Sequence, residues 1–117
     1  MWREGNMLIY KKTSEVDPET SAELIRTGNE IIDQIFDETK QAVNFLVDVT
    51  EANNLDFKSR ETWVRFLSNE KIHKTGIYGG NIVVKAIVFL LIKESRLSNI
   101  RYFLNKEEAL HWLNEWK

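Results

Sequence analysis

The chain has 117 residues, 43% apolar and 29% charged, with a formal net charge of −2 and no cysteine. That mix suits a single packed domain (1–117) rather than a disordered tail, and the near-neutral balance speaks against nucleic acid as a partner. Disulfides and thiolate chemistry are excluded. Together with an amino terminus, "MWREGNMLIYKK", too polar for a secretory h-region, this makes the expected location cytoplasmic.

In chain order, "NMLIYKK" (Asn6–Lys12) predicts a strand that can pair with Trp2–Glu4 across a Gly5-Asn6 turn. "DPETSAELIRTGNEIIDQIFDE" predicts a helix. Asp17 is its cap, Pro18 its first residue and Glu19 its dipole partner, and Ile25, Ile31, Ile32, Ile35 and Phe36 form its apolar stripe. "AVNFLVDVT" (Ala42–Thr50) is nearly all β-branched, aliphatic or aromatic, the pattern of a central parallel strand covered on both faces. A loop, "EANNL", leads to a helix over about Asp56–Ser68 that packs Phe57, Trp63, Val64 and Leu67.

The longest apolar run follows, "IYGGNIVVKAIVFLLIKES" (Ile77–Ser95). Its core, Ile82–Ile92, is far shorter than the roughly 20 residues a bilayer requires, and Lys85 interrupts it. Gly79-Gly80 is not followed by Gly-Lys-Ser/Thr, and no GxGxxG spacing exists, so it is not a nucleotide loop. What remains is a strand in "KTGIYGG", a glycine turn, and a helix capped by Asn81. "NIRYFL" predicts a last strand and "NKEEALHWLNEW" a last helix, with Asn105 as cap and Glu107-Glu108 in the first turn. Alternating strands and helices predict an α/β fold with a largely parallel sheet and helices packed on it.

The ordered set "FLVDVT", "KTGIYGG" and "VVKAIVFLLIKESRLSNIRYFLNKEEALHWL" resembles the SpoIIAA-like family, small bacterial domains related to the STAS fold and to CRAL-TRIO lipid carriers. The resemblance spans roughly Ala42–Trp116; over Met1–Glu38 only the element order agrees. It implies a mixed sheet with an antiparallel amino-terminal edge, and no defined catalytic activity. It also implies one of two roles, phospho-switched partner binding or the binding of lipids and other apolar ligands. The STAS phosphoswitch places an Asp-Ser pair and a glycine at the start of the helix after the central strand. The corresponding stretch, "DVTEANNLDFKSRETW", offers the hydroxyls of Thr50 and Ser59 but neither that pair nor the glycine. Asp56 and Ser59 are adequately read as a helix start, which leaves Ser59 a weak phosphoacceptor candidate.

Two further candidate sites come from the residues. Asp48, at the carboxyl end of the central strand, and Gly79, Gly80 and Asn81, at the end of the next, fall where open α/β sheets bind ligands. Against this, Asp48 can cap a loop and the glycines can simply permit a turn. On a helical wheel Lys85, Phe89, Ile92 and Arg96 share one side of the apolar helix, while Val83, Val84, Ile87, Val88, Leu90 and Leu91 fill the wider arc. An outward Phe89–Ile92 pair with a basic rim predicts a contact surface, unless the last helix or a loop covers it. Against anionic lipid each base contributes about 1 kcal/mol. Association itself costs about 4 kcal/mol or more, so a peripheral membrane contact would be weak. A homodimer uses the patch twice and is the better expectation.

His73 and His111 are isolated, no metal or cofactor is implied, and no Ser–His–Asp or carboxylate pair can be argued from spacing. Trp112 and Trp116, beside Ala109 and Leu113, suit core packing. The expected function is therefore a non-catalytic regulatory or interaction domain with an unidentified protein partner, with an apolar-ligand or lipid carrier as the alternative.

Overall fold

The computed structural model describes residues 1–12, 21–52 and 60–115. The fold is α/β. Its strands are β1 (Trp2–Glu4), β2 (Met7–Lys11), β3 (Val43–Asp48), β4 (Ile72–Tyr78) and β5 (Ile100–Phe103), and its helices are α1 (Ser21–Thr39), α2 (Arg60–Leu67), α3 (Ile82–Ser95) and α4 (Lys106–Leu113). The five strands form one sheet in the order β1-β2-β3-β4-β5. The β1–β2 hairpin is antiparallel and the other pairings are parallel. Parallel neighbours need a crossover, and α1, α2 and α3 supply the three in turn.

Side-chain alternation divides the core in two. Leu8, Tyr10, Phe45, Val47, Ile77 and Ile100 meet Ile32 and Ile35 of α1, Phe66 of α2, and Val84 and Val88 of α3. Ile9, Leu46 and Tyr78 meet Ala109 and Leu113 of α4 on the opposite face. The middle strand β3 is thus covered on both sides, which accounts for its nearly unbroken apolar run. Rings meet within the first of these layers. Tyr10 stacks on Trp63 at 5.4 Å, and Phe66 meets Phe45 at 5.6 Å and Trp63 at 6.0 Å, both edge-on.

The buried stripe of α1 differs from the expected one. Leu24, Gly28, Ile32 and Ile35 are buried, whereas Ile25, Ile31 and Phe36 are half-buried at its margins. The stripe runs through Gly28 because the helix comes close to α2 there. A Cβ at that position would lie 2.8 Å from Phe66 Cζ and 2.6 Å from Met1 Sδ. The expected capping residues Asp17, Pro18 and Glu19 fall outside the described residues, as do Asp56, Phe57, Ser59 and Trp116.

Strand β4 starts earlier than "KTGIYGG" and carries an irregularity. Val43 pairs with Ile72 but Phe45 pairs with Thr75, so His73 and Lys74 together stand opposite Asn44. A bulge of this kind reverses which face the following side chains take. Lys74 therefore points at α4 and is only 6% exposed. Its Nζ donates to the carbonyls of Trp112 (2.9 Å) and Glu115 (3.2 Å) and lies 5.0 Å from the Trp112 ring centre. Asn44 Nδ2 donates to the Leu113 carbonyl at 2.8 Å. The carbonyl end of α4, where the helix supplies few donors of its own, is thus held by Asn44 from β3 and by the Lys74 cation from β4.

Candidate functional site

Asp48 and Gly79–Asn81 come together as the sequence predicts, because β3 and β4 are neighbours in register and Asp48 pairs with Tyr78. Val49 N donates to the Tyr78 carbonyl (3.0 Å), which sets the two strand ends side by side. Gly79 and Gly80 both have positive φ, +89° and +84°. A Cβ on Gly79 would collide with the Thr50 side chain and come within 2.9 Å of its Cα, so the backbones touch where a side chain would otherwise sit.

The polar groups here are largely engaged with one another. Asp48 Oδ1 accepts from Thr50 N (2.9 Å) and Thr50 Oγ1 (2.6 Å), and its carboxylate also accepts from the Tyr78 hydroxyl. Tyr102 Oη donates to the Gly79 carbonyl at 2.6 Å, and Gly79 N donates to the Phe103 carbonyl. Asn81 Oδ1 accepts from Val84 N (2.9 Å), the N-cap expected of it.

Electrostatics follow from these bonds. Burial pushes the Asp48 carboxyl upward, but the hydrogen bonds from Thr50 and Tyr78 and the charge of Lys11 outweigh it, and the group sits below its ordinary range. Burial, followed by the bond to Asp48 and that residue's charge, pushes the Tyr78 phenol up to about 12. Both groups move away from neutrality, the reverse of what general acid–base work needs. The arrangement holds a carboxylate ionised and a phenol protonated. Chemically it is a hydrogen-bonded brace across two strand ends.

The helix that follows is α3, and its orientation differs from the expected one. Val84 and Val88 are fully buried, with Leu91 and Ile92 packed beside them against the same core. Ile92 therefore does not belong to an outward pair. Lys85 is half-buried, its Nζ 5.8 Å from the Phe89 ring centre and 5.6 Å from that of Tyr102. Phe89 and Arg96 are exposed as predicted. The outward face instead comprises Ile82 (83% exposed), Val83 (55%), Phe89 (51%) and Leu90 (41%), with Ala86 between them. Of six large exposed apolar side chains among the described residues, these are four; Trp2 and Leu104 are the others. The helix has turned by roughly a quarter of its circumference relative to the sequence reading. An almost wholly apolar helix carries too little contrast to fix its rotation. The glycine turn and the Phe89–Tyr102 ring contact at 5.5 Å do so instead.

No helix among the described residues is long and apolar enough to cross a membrane. His73 and His111 are exposed, and Trp112 is half-buried between Lys74 and the Arg101 guanidinium, 5.3 Å from its ring centre. Lys74 escaped the sequence reading because its burial depends on the bulge. A lysine among β-branched neighbours was its only local sign. No protein-family model, curated protein or solved structure matches this chain.

Proposed function

We propose that the chain is a non-catalytic interaction domain of the SpoIIAA-like, STAS-related type, working through the outer face of α3. The observation that carries this is the concentration of Ile82, Val83, Phe89 and Leu90 on one exposed helical face. A face of that kind marks a contact site on a folded protein. Two other features favour the reading over its competitors. The Asp48–Tyr78 pair is set as a brace rather than an acid and a base. Between the sheet and α2, in the layer where an apolar ligand would lie, Tyr10, Phe45, Trp63 and Phe66 pack ring against ring.

The test is a photo-reactive benzoyl-phenylalanine placed at Phe89 or, as a control, at His111, in cells that make the chain. Illumination should give protein adducts from position 89 and not from position 111. Equal adducts at both positions, or none at 89, would remove the assignment of α3 as the contact surface.

A further inference from the structure

The exposed face of α3 has an internal symmetry that points to its occupant. Ile82, Val83, Ala86, Phe89 and Leu90 are spaced evenly about Ala86, with Ile82 and Leu90 each four residues away and Val83 and Phe89 each three. Reversing the direction of the helix about Ala86 maps this apolar set onto itself. From this we infer that the face docks on the same face of a second copy of the chain. The two α3 helices would lie antiparallel across a two-fold axis near Ala86. The inference rests on the reading of α3 as the contact surface and names its partner.

Three physical features support a second copy over other occupants. In the antiparallel pair Ile82 lies beside the partner's Phe89 and Val83 beside the partner's Leu90, so each β-branched side chain meets a larger one across the axis. Ala86, at the crossing, is the smallest side chain on the face and lets the helix axes approach within the usual ~8–10 Å. The exposed apolar side chains present on the order of 400 Å² together. A stable dimer buries about 800 Å² per partner, a little over half of it apolar. The patch is therefore the size of the apolar centre of such an interface, needing only a polar rim from its surroundings. The rim favours an anionic bilayer only weakly: Lys93 and Arg96 are exposed, but Glu94 stands beside Lys93, and Lys85 leans over the rings of Phe89 and Tyr102.

The absence of native cysteine permits a direct test. Sedimentation equilibrium of the full chain from about 10 µM to 1 mM should show a dimer, and Phe89→Glu should be a monomer with an unchanged circular dichroism spectrum. Under mild oxidation Ala86→Cys should convert almost completely to a covalent dimer. His111→Cys, exposed on α4 at the opposite sheet face, should not. A wild-type chain that stays monomeric over this range, or equal cross-linking of the two cysteine variants, overturns self-docking. In the monomeric case the position-89 photoadduct separates the two readings. An adduct with a different protein leaves the contact surface standing and rejects only the second copy, whereas no adduct rejects both. Co-sedimentation of a monomer with phosphatidylserine vesicles, abolished by Phe89→Glu, would likewise overturn self-docking and give the face to a lipid surface.

Discussion

Replacing Lys74 by methionine isolates what its ammonium contributes, because the buried stem is kept and only the charged head is lost. Two donations, to the carbonyls of Trp112 and Glu115, disappear, as does the cation over the Trp112 ring. A hydrogen bond involving a charged group contributes about 1.5–3 kcal/mol net, and a cation at a helix carboxyl end about 0.3–1 kcal/mol, overlapping with those bonds. Against these stands the cost of desolvating an ammonium that is 6% exposed, which methionine does not incur. The Trp112 carbonyl also keeps a donor in Glu115 N at 3.2 Å, so it is not orphaned. The balance is a loss of about 2 kcal/mol for Lys74→Met, or roughly 8 °C in Tm for a domain of this size. Urea unfolding measures the first figure and calorimetry the second. Hydrogen exchange adds a local signature, since amides of α4 that open independently of the whole should exchange about 30-fold faster while β3 is unaffected. A Lys74→Met protein as stable as the wild type, or more so, would refute the reasoning. It would mean that desolvation cancels everything the buried cation gains.

Other expectations concern the turn, the brace and the rotation of α3. Gly79→Ala must place a Cβ into Thr50 at a φ of +89°, and a loss of about 3 kcal/mol or more in urea unfolding is expected; a loss under 1 kcal/mol would show that the strand ends can part. Gly28→Ala gains about 1 kcal/mol of helix propensity but meets Phe66 Cζ at 2.8 Å, so a net loss of stability is expected despite the better helix former. Titration followed at 295 nm should place the Tyr78 phenol near 12 rather than its ordinary 10.0, with Asp48→Asn bringing it back down. The folded state holds that proton more tightly than the unfolded chain. The corresponding stability is present below about pH 10 and lost as pH rises toward 12. For Asp48, whose carboxyl lies below its ordinary 3.8, the sign is opposite, with stability present above that value and lost as the solution is acidified through the lowered one. Finally, in the monomeric Phe89→Glu background, Val84→Asn should cost about 3 kcal/mol or more and Val83→Asn under about 0.5 kcal/mol. Equal losses at the two positions would contradict the orientation of α3.

Much of the architecture is legible in the residues alone, and the reason is local. Strand and helix periods, the Asn81 and Asn105 caps and the Gly5-Asn6 turn are short-range signals, and each agrees with its neighbours. The run "AVNFLVDVT" even shows that its strand is the central one, since only a strand covered on both faces can be apolar at successive positions. The meeting of Asp48 with Gly79 follows from the same logic. Adjacent parallel strands end together, and the residues at their carboxyl ends must meet.

Three things were decided only by the tertiary structure, each because it depends on how side chains and elements pack rather than on a local pattern of residue types. The face α3 turns outward depends on Tyr102 and the glycine turn rather than on its own apolar pattern, which is nearly uniform around the helix. The burial of Lys74 depends on a one-residue bulge against Asn44 and on α4 arriving above it 38 residues later. The chemistry of Asp48 depends on which way Thr50 and Tyr78 point, and their hydrogen bonds turn a carboxylate at the end of the central strand into a brace. Composition and period thus specify which elements form and in what order they pair. Rotation, register and the partner of each polar group are fixed by packing, because competing arrangements of the same elements differ only in long-range contacts.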